Sequence, residues 1–116
     1  MHALIYHNPR CSKSREALQL LTSRGVDVEI VDYQAAPPSL DALRNLIAQL
    51  GQSARTLLRF QDDLAGELKL SPDDDRSEDE WLALLSQNPR LIERPIVVVG
   101  GRAVVGRPPE KVLSLL

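Results

Sequence analysis

The sequence predicts an α/β protein with a mixed sheet of about four strands. One observation is a βαβ pattern near the N-terminus, where two short β-prone runs flank a helical segment of roughly 12 residues. The other is the continuous β-branched run Ile96-Val97-Val98-Val99, which Gly100-Gly101 separates from a further strand. A βαβ unit makes parallel strands and a glycine hairpin makes antiparallel strands, so we expect both directions in one sheet.

The N-terminal part is predicted to form strand, helix and strand. The first strand covers 3–6, an apolar run that Asn8-Pro9 ends. The helix includes 16–21 and has Gly25 as its C-cap, and the second strand alternates apolar and polar residues over 27–33. One face of this second strand is expected to carry Val28, Ile30 and Asp32.

The middle of the chain, about 37–90, is predicted to be a helical insert. Its first helix has Ser39 as N-cap and ends at Gly51. Its last helix begins with a capping box formed by Ser77 and Glu80, and only short helical turns are expected between the two. The apolar positions at helical spacing are Leu43, Leu46, Ile47, Leu50, Trp81, Leu84 and Leu85.

The C-terminal part is predicted to be a hairpin followed by a helix. The strand 96–99 turns at Gly100-Gly101 and returns antiparallel over 103–105, and the last helix begins at Pro108. The order βαβ, helical insert, ββα is typical of the thioredoxin-like fold. We therefore expect residues 1–116 to form a single thioredoxin-like domain.

Composition excludes several classes of protein. Hydrophobic residues make up 43% and charged residues 26%, which are ordinary globular values. The net charge of −2 argues against nonspecific nucleic-acid binding, and no apolar run approaches the roughly 20 residues of a membrane span. The single cysteine excludes an intrachain disulfide, and the acidic runs lack the spacing of a metal-binding loop. We expect a cytoplasmic monomer that binds no nucleic acid, membrane or metal.

That single cysteine, Cys11, lies on the turn between the first strand and its helix. A lone cysteine is often a small buried hydrophobic residue. Here, however, the backbone N–H groups and dipole of the helix start favour the thiolate, and Arg10, Lys13 and Arg15 add positive charge. The same N–H groups can hold an oxyanion. The sequence therefore favours a reactive thiolate.

Three arginines stand where they could complete such a site. Arg94 directly precedes Pro95 at the start of the strongest strand, Arg107 follows the hairpin, and Arg59 ends a short helical turn of the insert. A guanidinium offers paired donors that suit tetrahedral oxyanions, although each of these arginines taken alone is more often a surface or carboxylate-pairing residue. Spacing alone does not separate them from three arginines that we expect to be solvated, Arg55, Arg76 and Arg90.

Four segments resemble the glutaredoxin-dependent arsenate reductase family. His7–Arg15 is similar to its H-N-P-x-C-x-x-S-R signature, and Arg94–Val98 to its R-P-I-V-V stretch. Arg107-Pro108 is similar to its late R-P, and Ala54–Arg59 to its segment ending in L-L-R. The similarity covers nearly the whole chain, and the motifs occur in the family's order.

The resemblance implies a function and a set of roles. Cys11 would be the nucleophile, His7 would help to stabilise its thiolate, and the substrate would be arsenate or a similar oxyanion. No bound cofactor or metal is implied; glutathione would be the external reductant and glutaredoxin the protein partner. The Arg94–Pro95 peptide bond is expected to be cis. The oxyanion would be bound by Arg59, Arg94 and Arg107, with supporting roles for Asn8, Ser14, Arg15 and Pro95.

Two other functions stay open. The thioredoxin-like relatives of this family include Spx-type regulators that bind RNA polymerase. Those regulators typically carry a C-x-x-C switch, whereas the position three after Cys11 is Ser14. The other possibility is a thiol oxidoreductase that acts on a different oxyanion or on protein thiols.

Overall fold

The structure is a computed structural model that describes residues 1–116. The chain divides into two compact units, the first made of 1–36 and 94–116 and the second of 37–93. The second unit corresponds to the predicted helical insert. That the whole chain forms a single domain stays a prediction.

The first unit contains a four-stranded mixed sheet in the order β2-β1-β3-β4. Strand β1 (His2–Tyr6) pairs in parallel with β2 (Asp27–Val31), and helix α1 (Ser12–Ser23) connects them. On its other side β1 pairs antiparallel with β3 (Ile96–Val99), which forms the hairpin with β4 (Arg102–Val105). The predicted fold class, including both strand directions in one sheet, is confirmed.

The C-terminal segment Pro109–Leu115 packs against α1 and β4. It is a 3₁₀ helix, whereas the sequence predicted a helix there without indicating its type. Its hydrogen bonds run three residues back, as from the Lys111 N–H to the Pro108 carbonyl. The proline at its first position has no N–H to donate. The first unit buries an apolar core of Ala3, Ile5, Ala17, Leu21, Val26, Val97, Val112 and Leu115.

Strand β2 is shorter than the sequence predicted. It ends at Val31 because Asp32 begins a turn, in which its carboxylate accepts the Ala35 N–H at 3.2 Å and its carbonyl accepts the Ala36 N–H at 3.0 Å. Ile30, which the sequence placed on one face with Val28 and Asp32, has an exposed fraction of 52%. Ile30 lies on the edge strand of the sheet, where fewer neighbours cover a side chain.

The second unit is helical. It contains α2 (Leu40–Leu50), the short α3 (Asp63–Glu67) and α4 (Glu78–Gln87), with 3₁₀ turns at Ala54–Leu57 and Pro89–Leu91. None of the helices in the structure has the length and apolar character of a membrane span.

The helix ends of this unit follow the predicted caps. Ser39 Oγ accepts the Ala42 N–H at 3.1 Å, and Gly51 ends α2 with a φ of 69°. At α4, Ser77 Oγ accepts the Glu80 N–H at 3.2 Å, and the Glu80 carboxylate accepts the Ser77 N–H at 3.1 Å. The predicted capping box is therefore confirmed.

Trp81 of α4 is fully buried and is contacted by two of the arginines that we expected to be solvated. The guanidinium carbons of Arg55 and Arg76 lie 5.8 and 5.6 Å from its ring centroid, within cation–π range. The Phe60 ring meets Trp81 edge-on at 5.7 Å. The expectation is wrong for Arg76, which is half-buried, and Arg55 holds its charge over the same ring although most of it is exposed.

Candidate active site

The loop between β1 and α1 is held by short-range hydrogen bonds. The Asn8 carbonyl accepts the Cys11 N–H at 3.0 Å, and its side-chain oxygen accepts the Arg10 N–H at 3.0 Å. Arg15 of α1 donates from Nη1 to the Pro9 carbonyl at 2.8 Å. These bonds place Cys11 at the N-cap of α1, the position that the sequence predicted.

Ser14, in the first turn of α1, is completely buried and links this loop to the end of β1. Its hydroxyl oxygen lies 2.6 Å from His7 Nδ1 and accepts the Asn8 N–H at 3.0 Å. Because buried polar groups without partners are costly, this pair of bonds favours one position of the loop. The structure therefore places Asn8 and Ser14 in the loop next to Cys11, and their supporting role stays a prediction.

His7 is almost buried, with an exposed fraction of 7%. Burial lowers its pKa, the charge of Asp32 raises it and the charge of Arg15 lowers it, and the net pKa is below the usual value. The neutral imidazole therefore predominates at pH 7. Its Nδ1 lies 2.6 Å from the Ser14 hydroxyl oxygen. That His7 helps to stabilise the Cys11 thiolate stays a prediction.

The Cys11 thiol is half-buried and has a lowered pKa. Burial by itself raises the pKa of this thiol. The opposing groups outweigh burial: the Ser14 backbone N–H, the Arg94 side chain, the Lys13 backbone N–H and the charge of Arg107. The helix start and two arginines thus favour the thiolate, which is the nucleophilic form.

The first unit brings Arg94 and Arg107 to the sulfur. Arg107 donates from Nε to the Arg94 carbonyl at 2.8 Å, and its Nη2 lies 3.6 Å from Cys11 Sγ. The Arg94 side chain also donates toward the sulfur. The predicted cis Arg94–Pro95 peptide bond is confirmed, and the Arg107–Pro108 bond is cis as well. Two of the three predicted arginines therefore adjoin the thiol.

Arg59 belongs to the second unit, where carboxylates surround it. Its Nε lies 3.3 Å from Glu93 Oε1, at an angle that does not form a hydrogen bond, and its Nη1 lies 3.9 Å from Asp62 Oδ2. All three side chains are less than one-fifth exposed, Arg59 at 16% and Glu93 at 19%. These ion pairs restrict the orientation of the Arg59 guanidinium.

Arg90, which we expected to be solvated, binds the same Asp62 carboxylate. Its Nη2 and Nε lie 2.8 and 3.2 Å from the two carboxylate oxygens, a bidentate pair. Burial raises the pKa of Asp62, but the combined lowering by the Leu64 N–H, Arg90 and Arg59 is larger, so the net pKa is below the usual value. Arg90 is therefore part of the network around Arg59 and is unsuitable as a solvated control.

The sequence analysis did not single out Gly106, which directly precedes Arg107. It is buried, and its N–H donates to the Pro95 carbonyl at 2.8 Å. The only signal in the sequence was a glycine between a strand and a predicted anion-binding arginine.

The structure contains no group of three or more His, Cys, Asp or Glu side chains that could hold a metal ion.

The lowered thiol pKa predicts a specific pH profile for alkylation. The rate with iodoacetamide should follow the thiolate fraction, so it should reach half its maximum below the roughly 8.5 of a free cysteine. Raising the pH through that value should therefore increase the rate by less than it does for the unfolded chain. The measurement is alkylation rate against pH, with the unfolded chain in urea as control. Coincident profiles for the folded and unfolded chains would contradict the prediction.

Comparisons with known proteins agree with these features over nearly the whole chain. The model of the ArsC family matches residues 6–115. An arsenate reductase from Neisseria meningitidis serogroup A is 46% identical over 113 residues, which are 97% of this chain and 96% of that protein. Uncharacterized protein YfgD from Escherichia coli K12 is 50% identical over 97% of this chain and 94% of its own. The solved structure of an arsenate reductase from Vibrio cholerae has a TM-score of 0.94 at 45% identity, and the match covers 100% of this chain and 98% of that one.

Proposed function

Because this chain belongs to the ArsC family, we propose that it reduces arsenate to arsenite with Cys11 as the nucleophile. The observation that carries the proposal is a thiol of lowered pKa at a helix N-terminus, with an arginine Nη2 3.6 Å from the sulfur. Relatives named arsenate reductase match this chain along almost its full length. The substrate is arsenate, and its negative oxygens suit the donors around Cys11.

In the proposed first step the Cys11 thiolate attacks arsenic. A sulfur–arsenic bond forms, and one arsenate oxygen leaves as water after protonation. Arg94 and Arg107 bind the remaining oxygens through paired N–H donors, which stabilise negative charge. We propose Arg59 as a third ligand on the basis of the family resemblance. Its ion pairs with Glu93 and Asp62 support this role only by restricting its orientation.

The reduction needs two electrons, and Cys11 alone supplies only one sulfur. We propose that an external thiol, glutathione, attacks the Cys11 sulfur. The sulfur–arsenic bond then breaks, its electron pair stays on arsenic, and arsenite leaves as a disulfide forms between Cys11 and glutathione. Glutaredoxin then restores the thiol by exchange. The chain has no second cysteine that could resolve the adduct, and Ser14 stands where a C-x-x-C protein has one. Both facts support an external thiol.

The test is turnover of arsenate with glutathione and glutaredoxin. We expect repeated turnover only when both are present, because glutathione alone releases one arsenite per protein and leaves Cys11 oxidised. Mass spectrometry after that single turnover should find a glutathione adduct on Cys11. A competing product is a disulfide between two copies of Cys11, which the crowded cationic site disfavours. Equal turnover with thioredoxin alone, after omission of glutathione and glutaredoxin, would contradict this reductant.

The two alternative functions, a Spx-type regulator and reduction of a different oxyanion, can be tested on the same protein. A Spx-type regulator is disfavoured, because buried Ser14 stands at the position of the second switch cysteine. Reduction of another oxyanion would show as consumption of glutathione when that oxyanion replaces arsenate in the assay. A single cytoplasmic domain that acts as a monomer stays our prediction, and one unfolding transition with a monomeric mass in solution is expected.

A further inference from the structure

Gly106 lies where the backbone after β4 passes close to Pro95. A Cβ built at this glycine would lie 2.9 Å from Pro95 Cγ and 3.1 Å from Val112 Cγ1. The first distance is one that real Cβ atoms essentially never show. Gly106 does not have a positive φ. The requirement for glycine here is therefore one of space rather than of backbone conformation.

The close approach is continuous with the contacts of Arg107. The Gly106 N–H donates to the Pro95 carbonyl at 2.8 Å, and the next residue donates from Nε to the Arg94 carbonyl at 2.8 Å. These two bonds join two successive residues of one segment to two successive residues of the other. The Arg107 guanidinium that they orient extends to 3.6 Å from Cys11 Sγ.

We propose that Gly106 is a positioning residue, whose missing side chain lets the backbone approach Pro95 closely enough to hold the Arg107 guanidinium against the Cys11 sulfur. This inference rests on the proposed role of Arg107 in the site, but it does not depend on which oxyanion is the substrate.

A methyl group at Gly106 has little room to be accommodated by its neighbours. Pro95 is buried directly before β3, and Val112 is fully buried in the core of the first unit. Interiors are close-packed, so the 106–107 backbone should move instead. That movement lengthens the bonds to the Pro95 and Arg94 carbonyls and withdraws the guanidinium from Cys11.

The direct test is Gly106→Ala, with Gly66→Ala as the matched control. Gly66 is an exposed glycine of α3, and a Cβ built there meets nothing within 4 Å. We expect Gly106→Ala to shift the midpoint of Cys11 alkylation toward that of a free cysteine. Protection of Cys11 by sulfate should weaken about tenfold, as expected when a charge-assisted contact is misplaced. Gly66→Ala should leave both values unchanged.

The double variant Gly106→Ala/Val112→Ala separates positioning from stability. Removing the Val112 methyl groups opens space into which the new Cβ can move away from Pro95. We expect the thiol midpoint and the sulfate protection to recover toward wild type, even though the loss of a buried valine lowers the melting temperature further. If the role of Gly106 were purely structural, the double variant would instead have a higher thiol midpoint, weaker sulfate protection and a lower melting temperature than Gly106→Ala.

If Gly106→Ala does not fold alone, it is measured in a stabilising osmolyte with wild type in the same solution. The proposal is overturned if Gly106→Ala keeps the wild-type thiol midpoint and sulfate protection, whatever its melting temperature. Both readouts use no arsenate, glutathione or glutaredoxin. Failure of the proposed arsenate chemistry would therefore leave this test intact, and the reverse is also true.

Discussion

Replacing Cys11 by serine is expected to abolish arsenate reduction while leaving oxyanion binding in place. A serine hydroxyl at neutral pH is a far weaker nucleophile than a thiolate and cannot form the disulfide that releases arsenite. Enzymes that form a covalent intermediate lose at least ~10⁴-fold in turnover number when their nucleophile is replaced. Arg94 and Arg107 remain, so calorimetry should still detect binding of sulfate or arsenate.

The matched control is Ser12→Ala, at the exposed residue directly after Cys11. This change removes a hydroxyl from the same helix start without touching the sulfur, and turnover should stay within about twofold, as for surface substitutions generally. Measurable arsenite formation by Cys11→Ser, above the rate with glutathione alone, would refute Cys11 as the nucleophile. Loss of anion binding in the same variant would instead implicate the sulfur in binding.

Replacing Arg107 by lysine is expected to weaken oxyanion binding by about tenfold to a hundredfold, the range for a lost charge-assisted hydrogen bond. Lysine keeps the charge, but its single ammonium cannot donate to the Arg94 carbonyl and reach the Cys11 sulfur together, as Nε and Nη2 do in the structure. The readout is protection of Cys11 from alkylation by increasing sulfate. Because the charge remains, the thiol pKa should rise less than it does in Arg107→Gln.

Arg102→Lys is the control for this series. Arg102 is an exposed arginine of β4, in the same hairpin, and its replacement should not change sulfate protection. Arg55 and Arg90 are less suitable as controls, since the first lies over Trp81 and the second binds Asp62. An equal loss of protection in Arg102→Lys and Arg107→Lys would show that general charge, rather than the geometry of the guanidinium, determines anion affinity.

The parts of the fold that the sequence predicted are those with local causes. Cys11 was placed at a helix start because a strand, an Asn-Pro pair and an apolar helical period follow one another within a few residues. The capping box of Ser77 and Glu80 has the same local character, and both are present in the structure. The glycine hairpin and the antiparallel β4 were predicted from two adjacent residues.

The surroundings of the arginines depend on residues distant in sequence and were not predictable from spacing. Arg107 contacts a sulfur 96 residues away, and the carboxylate of Glu93 lies against Arg59. A family resemblance selected Arg59, Arg94 and Arg107, but no motif indicated that Asp62 joins Arg59 to Arg90. The space restriction at Gly106 becomes visible only when Pro95 and Val112 are both in place.

Ser14, with its two buried hydrogen bonds, occupies the position at which a C-x-x-C protein has its second cysteine. A sulfur at this position would be larger and a weaker hydrogen-bonding group, so a second cysteine could be gained only by loosening the loop that presents the first. Under the proposed chemistry, the oxidised protein therefore has no internal route back to its starting state. Its recovery rate is then first order in reduced glutaredoxin, and the active fraction at steady state reports how much of that reductant is available.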